Sequence, residues 1–213
     1  MDEMLKDIEN SMAYLDDIII FSNELDDHLK TLEIIFDRLN KYNMKLNSQK
    51  CEFCKNSIDY LGHTLNKNGY EPANFNIEVI KKFPEPKNCK EIKQFLGLVG
   101  FFCKFIRNFA ENASPISKLL RGKQHFEWNE EQRKAFESLK AELLKLPCLS
   151  APDYKHPFIS YTDASNIAWA SVLMQKKNGS ITAIAYCSKT LNNTEAKYPA
   201  NGDTRNKPKN LLY

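Results

Sequence analysis

The sequence predicts an α+β protein: an N-terminal antiparallel sheet with helices, a central helical stretch, and a second β region. Three observations predict it. Short apolar runs rich in β-branched and aromatic residues lie near both ends, at 12–21 and 158–188. Between them, 91–107 and 129–146 repeat apolar residues at helical spacing. Pro84 and Pro86 interrupt any helix at the junction and mark a natural domain joint. With 213 residues there is room for one large domain or two to three small ones. An apolar content of 42% and a charged content of 27% fit globular chains and exclude a disordered one.

The N-terminal run Met12-Ala13-Tyr14-Leu15-Asp16-Asp17-Ile18-Ile19-Ile20-Phe21 organises the rest. It reads as a buried strand, or two strands broken at Asp16-Asp17, which would place two like charges at a tight hairpin tip. Burying both carboxylates would cost several kcal/mol or force one to stay protonated. A divalent cation such as Mg²⁺, which takes carboxylate oxygens, removes that cost. The plain alternative is a solvent-facing turn, for which Asp is well suited.

The remaining elements follow in order. Met1 to Ser11 reads as the tail of a helix carrying Met4, Leu5 and Ile8. Ser22 and Asn23 offer N-cap oxygens for a helix to about Tyr42, with Leu29, Leu32, Ile35, Phe36 and Leu39 on one face. Short strands are expected at 45–47, 51–54, 58–61 and 62–65, then a turn at Asn66-Lys67-Asn68-Gly69. Gly62 inside a strand pattern marks a bulge or a close backbone approach. A short helix covers 74–83. A longer one runs from Glu91 to about Arg107, and Ser114-Pro115 restarts a third that ends at Gly122. Phe101 and Phe102 are expected in the core. Asn129 caps a helix through Leu146, stopped by Pro147 and Pro152. Strands at 158–165, 168–175 and 181–188 close the pattern, and Ala200 to Tyr213 reads as a ragged, aperiodic end.

Charge is unevenly placed. Residues 1–40 hold eleven acidic side chains against three basic ones, and 81–123 hold ten basic against three acidic. An acidic centre beside a basic arm fits metal in one place and a phosphate backbone in another, although solvated helix faces would look similar. No apolar run approaches a bilayer span and the N-terminus is acidic, so neither a membrane span nor a signal peptide is expected. The reading is intracellular, cytoplasm or nucleus unresolved, with the six cysteines reduced. Cys51-x-x-Cys54 lacks a second pair at zinc-site spacing.

Tyr14-Leu15-Asp16-Asp17-Ile18-Ile19 with Phe21-Ser22 and His28-Leu29 resembles the polymerase signature of reverse transcriptases from gypsy-type LTR retrotransposons. Lys50-Cys51-Glu52-Phe53, Tyr60-Leu61-Gly62-His63, Lys90 to Leu98, Phe126-Glu127-Trp128 and Thr162-Asp163-Ala164-Ser165 continue the likeness to about Tyr198. The resemblance implies a layout: 1–82 the C-terminal part of the palm, 83–123 the thumb, 124–155 the connection, and 156–213 an incomplete RNase H-like domain. It implies Asp16 and Asp17 as catalytic and metal-holding carboxylates for Mg²⁺ or Mn²⁺, and Asp163 as the first RNase H carboxylate. Tyr14, the primer-grip residues Leu61, Gly62 and His63, and the thumb residues Lys90, Lys93, Lys104 and Arg107 are implied nucleic-acid contacts. The implied partners are an RNA template and DNA primer, with dNTP in a full-length parent.

The sequence also departs from that pattern. The palm's third metal-binding aspartate and the fingers belong upstream of the helix that here begins at Met1. The next RNase H carboxylate should follow a segment like Thr194-Glu195-Ala196-Lys197-Tyr198, and Glu195 comes too early to replace it. Two functions are therefore expected to compete. One is a segment of an RNA-directed DNA polymerase with RNase H, active in a longer parent. The other is a truncated or domesticated fragment, inert in catalysis, that at most binds RNA–DNA duplex.

Overall fold

A computed structural model describes residues 2–120, 126–177, 179–192, 194–195 and 211–212. The chain divides into two compact units, Met1–Tyr60 and Leu61–Tyr213. Among the described residues no helix is long and apolar enough to cross a membrane.

In the first unit α1 (Asp2–Leu5) leads into an antiparallel hairpin of β1 (Ser11–Tyr14) and β2 (Asp17–Ile20). Helix α2 (Leu25–Lys41) follows, and β3 (Ser57–Tyr60) ends the unit. The core is small: Met4, Leu5, Ile35 and Leu39, with Ala13, Ile18 and Ile20 packed on it. Arg38 reaches back from α2 to donate to the carbonyl oxygens of Met4 and Lys6, satisfying acceptors that the end of α1 leaves open. The helix expected through Ser11 stops at Leu5. Residues 45–47 and 51–54 are not strands; a 3₁₀ turn at Ser48–Lys50 stands between them, capped by Asn47 Oδ1 accepting from the Gln49 amide at 3.1 Å. Their alternation is too short to hold a strand without a partner. The cap of α2 also differs: Glu24 occupies it without a side-chain bond, while Ser22 Oγ lies 2.9 Å from His28 Nδ1.

The second unit opens with the hairpin β4 (His63–Asn66) and β5 (Gly69–Pro72). Among the described residues four helices follow: α3 (Asn74–Lys81), α4 (Cys89–Gly100), α5 (Phe109–Lys118) and α6 (Glu130–Leu143). The last sheet holds β6 (Phe158–Ala164), β7 (Ala168–Lys177), β8 (Ser180–Thr190) and β9 (Leu211–Leu212) in the order β8-β7-β6-β9. Within the stretch read as a ragged end, Leu211–Leu212 thus runs antiparallel to β6; 200–210 and 213 lie outside the described residues.

One core unites the helices: Ile92, Phe95, Phe102, Phe105, Phe136 and Leu139 are all at most 1% exposed. Phe95 and Phe136 meet at 4.5 Å between ring centroids. Helix α4 begins at Cys89, earlier than expected, because Asn88 and Glu91 cap each other: Asn88 Oδ1 accepts from the Glu91 amide at 3.0 Å and Glu91 Oε1 accepts from Asn88 Nδ2 at 2.8 Å. It ends at Gly100 and not near Arg107, and a 3₁₀ turn at Cys103–Phe105 takes over. A 3₁₀ turn also places i and i+3 on one side, so Phe102 and Phe105 enter the core without a continuous helix. Helix α5 starts at Phe109, after a left-handed Asn108 (φ 54°), and carries Pro115 in its interior instead of at its start.

The 147–150 segment ties hairpin to sheet. Tyr70 and Leu149 exchange both backbone hydrogen bonds at 2.9 Å, and the Ser150 amide donates to Ala183 O at 2.9 Å. Tyr70 Oη adds a bond to Ile184 O at 2.9 Å. Gly69, at φ 145°, makes the approach possible: a Cβ there would lie 1.9 Å from Leu149 O. Beyond it, Gln175, 2% exposed, fastens the entry to β6, donating from Nε2 to Asp153 O at 2.7 Å and to His156 O at 2.9 Å. Gly69→Ala is expected to cost about 2 kcal/mol or more, through forced φ and displaced backbone. Urea unfolding followed by fluorescence of Trp128 and Trp169, both in this unit, measures it; an unchanged midpoint would contradict the role given to Gly69.

Candidate functional site

In the first unit, Tyr14 pairs with Asp17 across the hairpin, leaving Leu15-Asp16 as a two-residue loop. Leu15 has φ 56° and is 76% exposed. A left-handed leucine costs about 1–2 kcal/mol, so the loop is held by its flanking strands and not by local preference. Tyr14, Asp16 and Asp17 are all exposed at this tip. Burial, and secondarily the Asp17 carboxylate, push the Tyr60 phenol above its ordinary value. The run read as buried is buried on one side only: Ala13, Ile18 and Ile20 pack on the core, while Met12, Tyr14 and Phe21 are half or more exposed. A two-stranded hairpin has a second face that α1 and α2 do not cover.

The pair suits a hard divalent cation, because Mg²⁺ takes one or two protein carboxylates and completes its shell with water and phosphate oxygens. Among the described residues no three His, Cys, Asp or Glu side chains converge to hold a metal by themselves.

In the second unit, Leu61 (φ 50°) and Gly62 (φ 79°) are both left-handed. Gly62 O accepts from the Ala73 amide at 3.1 Å and from Asn76 Nδ2 at 3.2 Å. A Cβ on Gly62 would sit 3.2 Å from both Asn76 Nδ2 and the Phe101 ring. Beside the turn, the half-buried His63 ring lies among Tyr70, Phe101, Phe102 and Phe105. Of the phenylalanine pair expected in the core, Phe102 is there and Phe101 is 54% exposed. Burial, then the Lys104 ammonium, lower the His63 pKa against the opposing pull of Leu61 O. Lys104 is half-buried, its Nζ 4.8 Å from the Tyr70 ring centroid, and burial lowers its own pKa. Lys90 and Lys93 are exposed one helical turn apart on α4, and Arg107 is exposed after the 3₁₀ turn.

Asp163 is exposed near the end of β6, with Oδ1 accepting from the Ala164 amide at 2.9 Å. It borders a small cavity of about 30 Å³ that Asn108, Glu111 and Ser188 also line. Glu111, contributed by α5, had no signal in the sequence, since fifty-odd residues of other structure separate it from Asp163. Glu195 is committed elsewhere, accepting from the Asn192 amide at 2.7 Å and pairing with Lys189 Nζ at 3.1 Å. These bonds, the backbone one foremost, hold its carboxyl below the ordinary value.

Residues 1–65 match the family described as reverse transcriptase (RNA-dependent DNA polymerase), and 128–203 match the RNase H-like domain found in reverse transcriptase. The Pol polyprotein of transposon 297 from Drosophila melanogaster is 39% identical over 203 residues, covering 94% of this chain and 19% of the relative. The Tf2-3 polyprotein of Schizosaccharomyces pombe is 33% identical over 165 residues, 78% of this chain and 12% of the relative. The chain thus spans a fifth or less of these curated relatives. Among solved structures, a foamy viral protease–reverse transcriptase dRH in complex with double-stranded DNA matches at TM-score 0.84 and 26% identity, over 92% of this chain and 35% of that one. The foamy viral enzyme in complex with an RNA/DNA hybrid matches at TM-score 0.82 and 25% identity, over 92% and 27%.

The unfolded chain takes up a proton on His63 near the ordinary histidine value of about 6.5, and the folded site resists it. The second unit is therefore expected to lose stability as pH falls from about 7.5 to about 5.5, with His63→Phe flattening that loss; tryptophan-monitored urea midpoints across this range check it.

Proposed function

Because this chain belongs to the reverse transcriptase and RNase H-like region of retrotransposon Pol polyproteins, we propose that it acts on RNA–DNA duplex as part of an RNA-directed DNA polymerase. The observation that carries the reading is the Asp16–Asp17 pair, set at the tip of a hairpin whose loop is strained. Asp16 and Asp17 would hold Mg²⁺ or Mn²⁺ in the longer parent, where RNA template, DNA primer and dNTP meet. A divalent ion there lowers the pKa of an attacking hydroxyl and offsets charge on the transferring phosphoryl group. Exposed Tyr14 stands next to the carboxylates, able to offer its ring to a base or sugar. The Leu61–Gly62 turn is proposed to present its backbone to the primer, and the bare Gly62 lets the turn sit close against Asn76 and Phe101. Lys90, Lys93, Lys104 and Arg107 supply charge for a phosphate backbone. Asp163 is proposed as an RNase H carboxylate, and the layout of palm, thumb, connection and RNase H-like segments is proposed at 1–82, 83–123, 124–155 and 156–213.

A second reading draws on a specific observation: among the described residues the Asp16–Asp17 pair and Asp163, which shares its small cavity with Glu111, are not joined by enough further ligands to make a group of three. On that reading the isolated chain binds duplex without catalysing extension. Both readings predict binding to an RNA–DNA hybrid that weakens with salt and survives Asp16→Asn. Removing Lys90 and Lys93 together is expected to shallow the slope of log affinity against log salt by about 1–2, as expected for two lost phosphate contacts. Fluorescence anisotropy over a salt series measures both effects. Primer extension by the purified chain, abolished in Asp16→Asn, would overturn the inert reading; absence of hybrid binding at low salt would overturn both.

A further inference from the structure

Both carbonyl oxygens of the Leu61–Gly62 turn are held from within the second unit. Gly62 O is fixed by Ala73 and Asn76. Leu61 O lies 2.9 Å from His63 Nδ1. A carbonyl oxygen only accepts, so Nδ1 carries the ring's proton and Nε2 is bare. Nε2 is buried, closed off from solvent by the surrounding protein, and has no hydrogen-bond partner among the described residues. The ring itself stacks against Phe105 at 5.7 Å and 26°, and packs on Phe101 at 5.3 Å. Burial and the nearby Lys104 charge keep the imidazole neutral, which leaves it this one donor. Two consecutive left-handed residues, one of them a leucine, persist only where surrounding contacts over-determine them. A trans peptide sets each N–H opposite the preceding C=O, so fixing Leu61 O also fixes the direction of the Gly62 amide.

We infer that His63 is a positioning residue: its Nδ1–H bond to Leu61 O and its seat against Phe101 and Phe105 hold the turn in its left-handed form, and its ring does not touch nucleic acid. This deepens the proposed duplex binding and rests on it. His63→Phe keeps a ring for Phe105 and loses the donor, whereas His63→Asn keeps a donor near the Nδ1 position and loses the ring. The Ala73 amide, bonded to Gly62 O, reports the turn through hydrogen exchange in the full chain. The expected result for His63→Phe is exchange at Ala73 about fivefold faster and affinity for an RNA–DNA hybrid about fivefold weaker, the worth of one hydrogen bond. The salt slope should stay unchanged, and His63→Asn should recover part of both losses. Wild-type exchange at Ala73 in His63→Phe would overturn the inference. Weakened binding with unchanged exchange would overturn it too, because the ring would then be a direct contact. Imidazole ¹⁵N spectra of the unmodified chain test it without substitution, and an Nε2–H tautomer would sink it. If no form binds hybrid, the proposed function fails, while Ala73 exchange still decides whether His63 holds the turn.

Discussion

The two-way backbone pairing of Tyr70 with Leu149 is the constraint on which the second unit depends. It brings the first hairpin of that unit against a segment eighty residues later, and Ser150 and Tyr70 carry the connection on into β8. Each buried amide and carbonyl in such a junction must find a partner, so losing one pairing exposes several groups together. The helical core then fills the space beside it, with Phe95, Phe102, Phe105 and Phe136 as its largest side chains. The same hairpin bears the Leu61–Gly62 turn at its start. The fold and the candidate duplex-contacting turn therefore share supports.

The first unit is organised differently. Its core is a handful of residues from α1, the hairpin and α2, with an arginine closing the end of α1. Much apolar surface stays open on it, including Met12, Tyr14, Leu15, Phe21, Leu25 and Leu29. Exposed apolar area of this kind marks surfaces used for association. Tyr14 and Leu15 of this set adjoin the carboxylates in sequence at the hairpin tip.

Legibility differed by element. Helix α6 was plain because an Asn129 start, apolar spacing and following prolines all agree, and Gln132 Oε1 does accept from the Asn129 amide. The β6–β8 meander was plain for the same reason, with alternation and turn residues in accord. The end of α4 was not, because helical and 3₁₀ turns share the i, i+3 spacing that placed Phe102 and Phe105 inside. Residues 45–54 carried strand-like residues but no pairing partner, and pairing is a property of two segments that neither reveals alone. At the site, the Asp16–Asp17 pair and Gly62 could be singled out from chemistry and position. The environment of His63 could not: its neighbours Tyr70, Phe101 and Phe105 come from separate stretches.

The sequence by itself determined the family, the turn that carries the paired carboxylates, the order of the main helices and of the β6–β8 meander, and the uneven charge. These follow from local periodicity, turn chemistry and motif order, which neighbouring residues encode. Only the tertiary structure decided that the acidic hairpin is covered on one face, that Glu195 serves a local turn, and that Gly69 exists to admit Leu149 O. It also decided that the His63 ring faces its own protein, bonded to Leu61 O and packed on Phe105. Each of these depends on which distant groups come within contact range, and that is set by packing across the whole unit, beyond the reach of residue order.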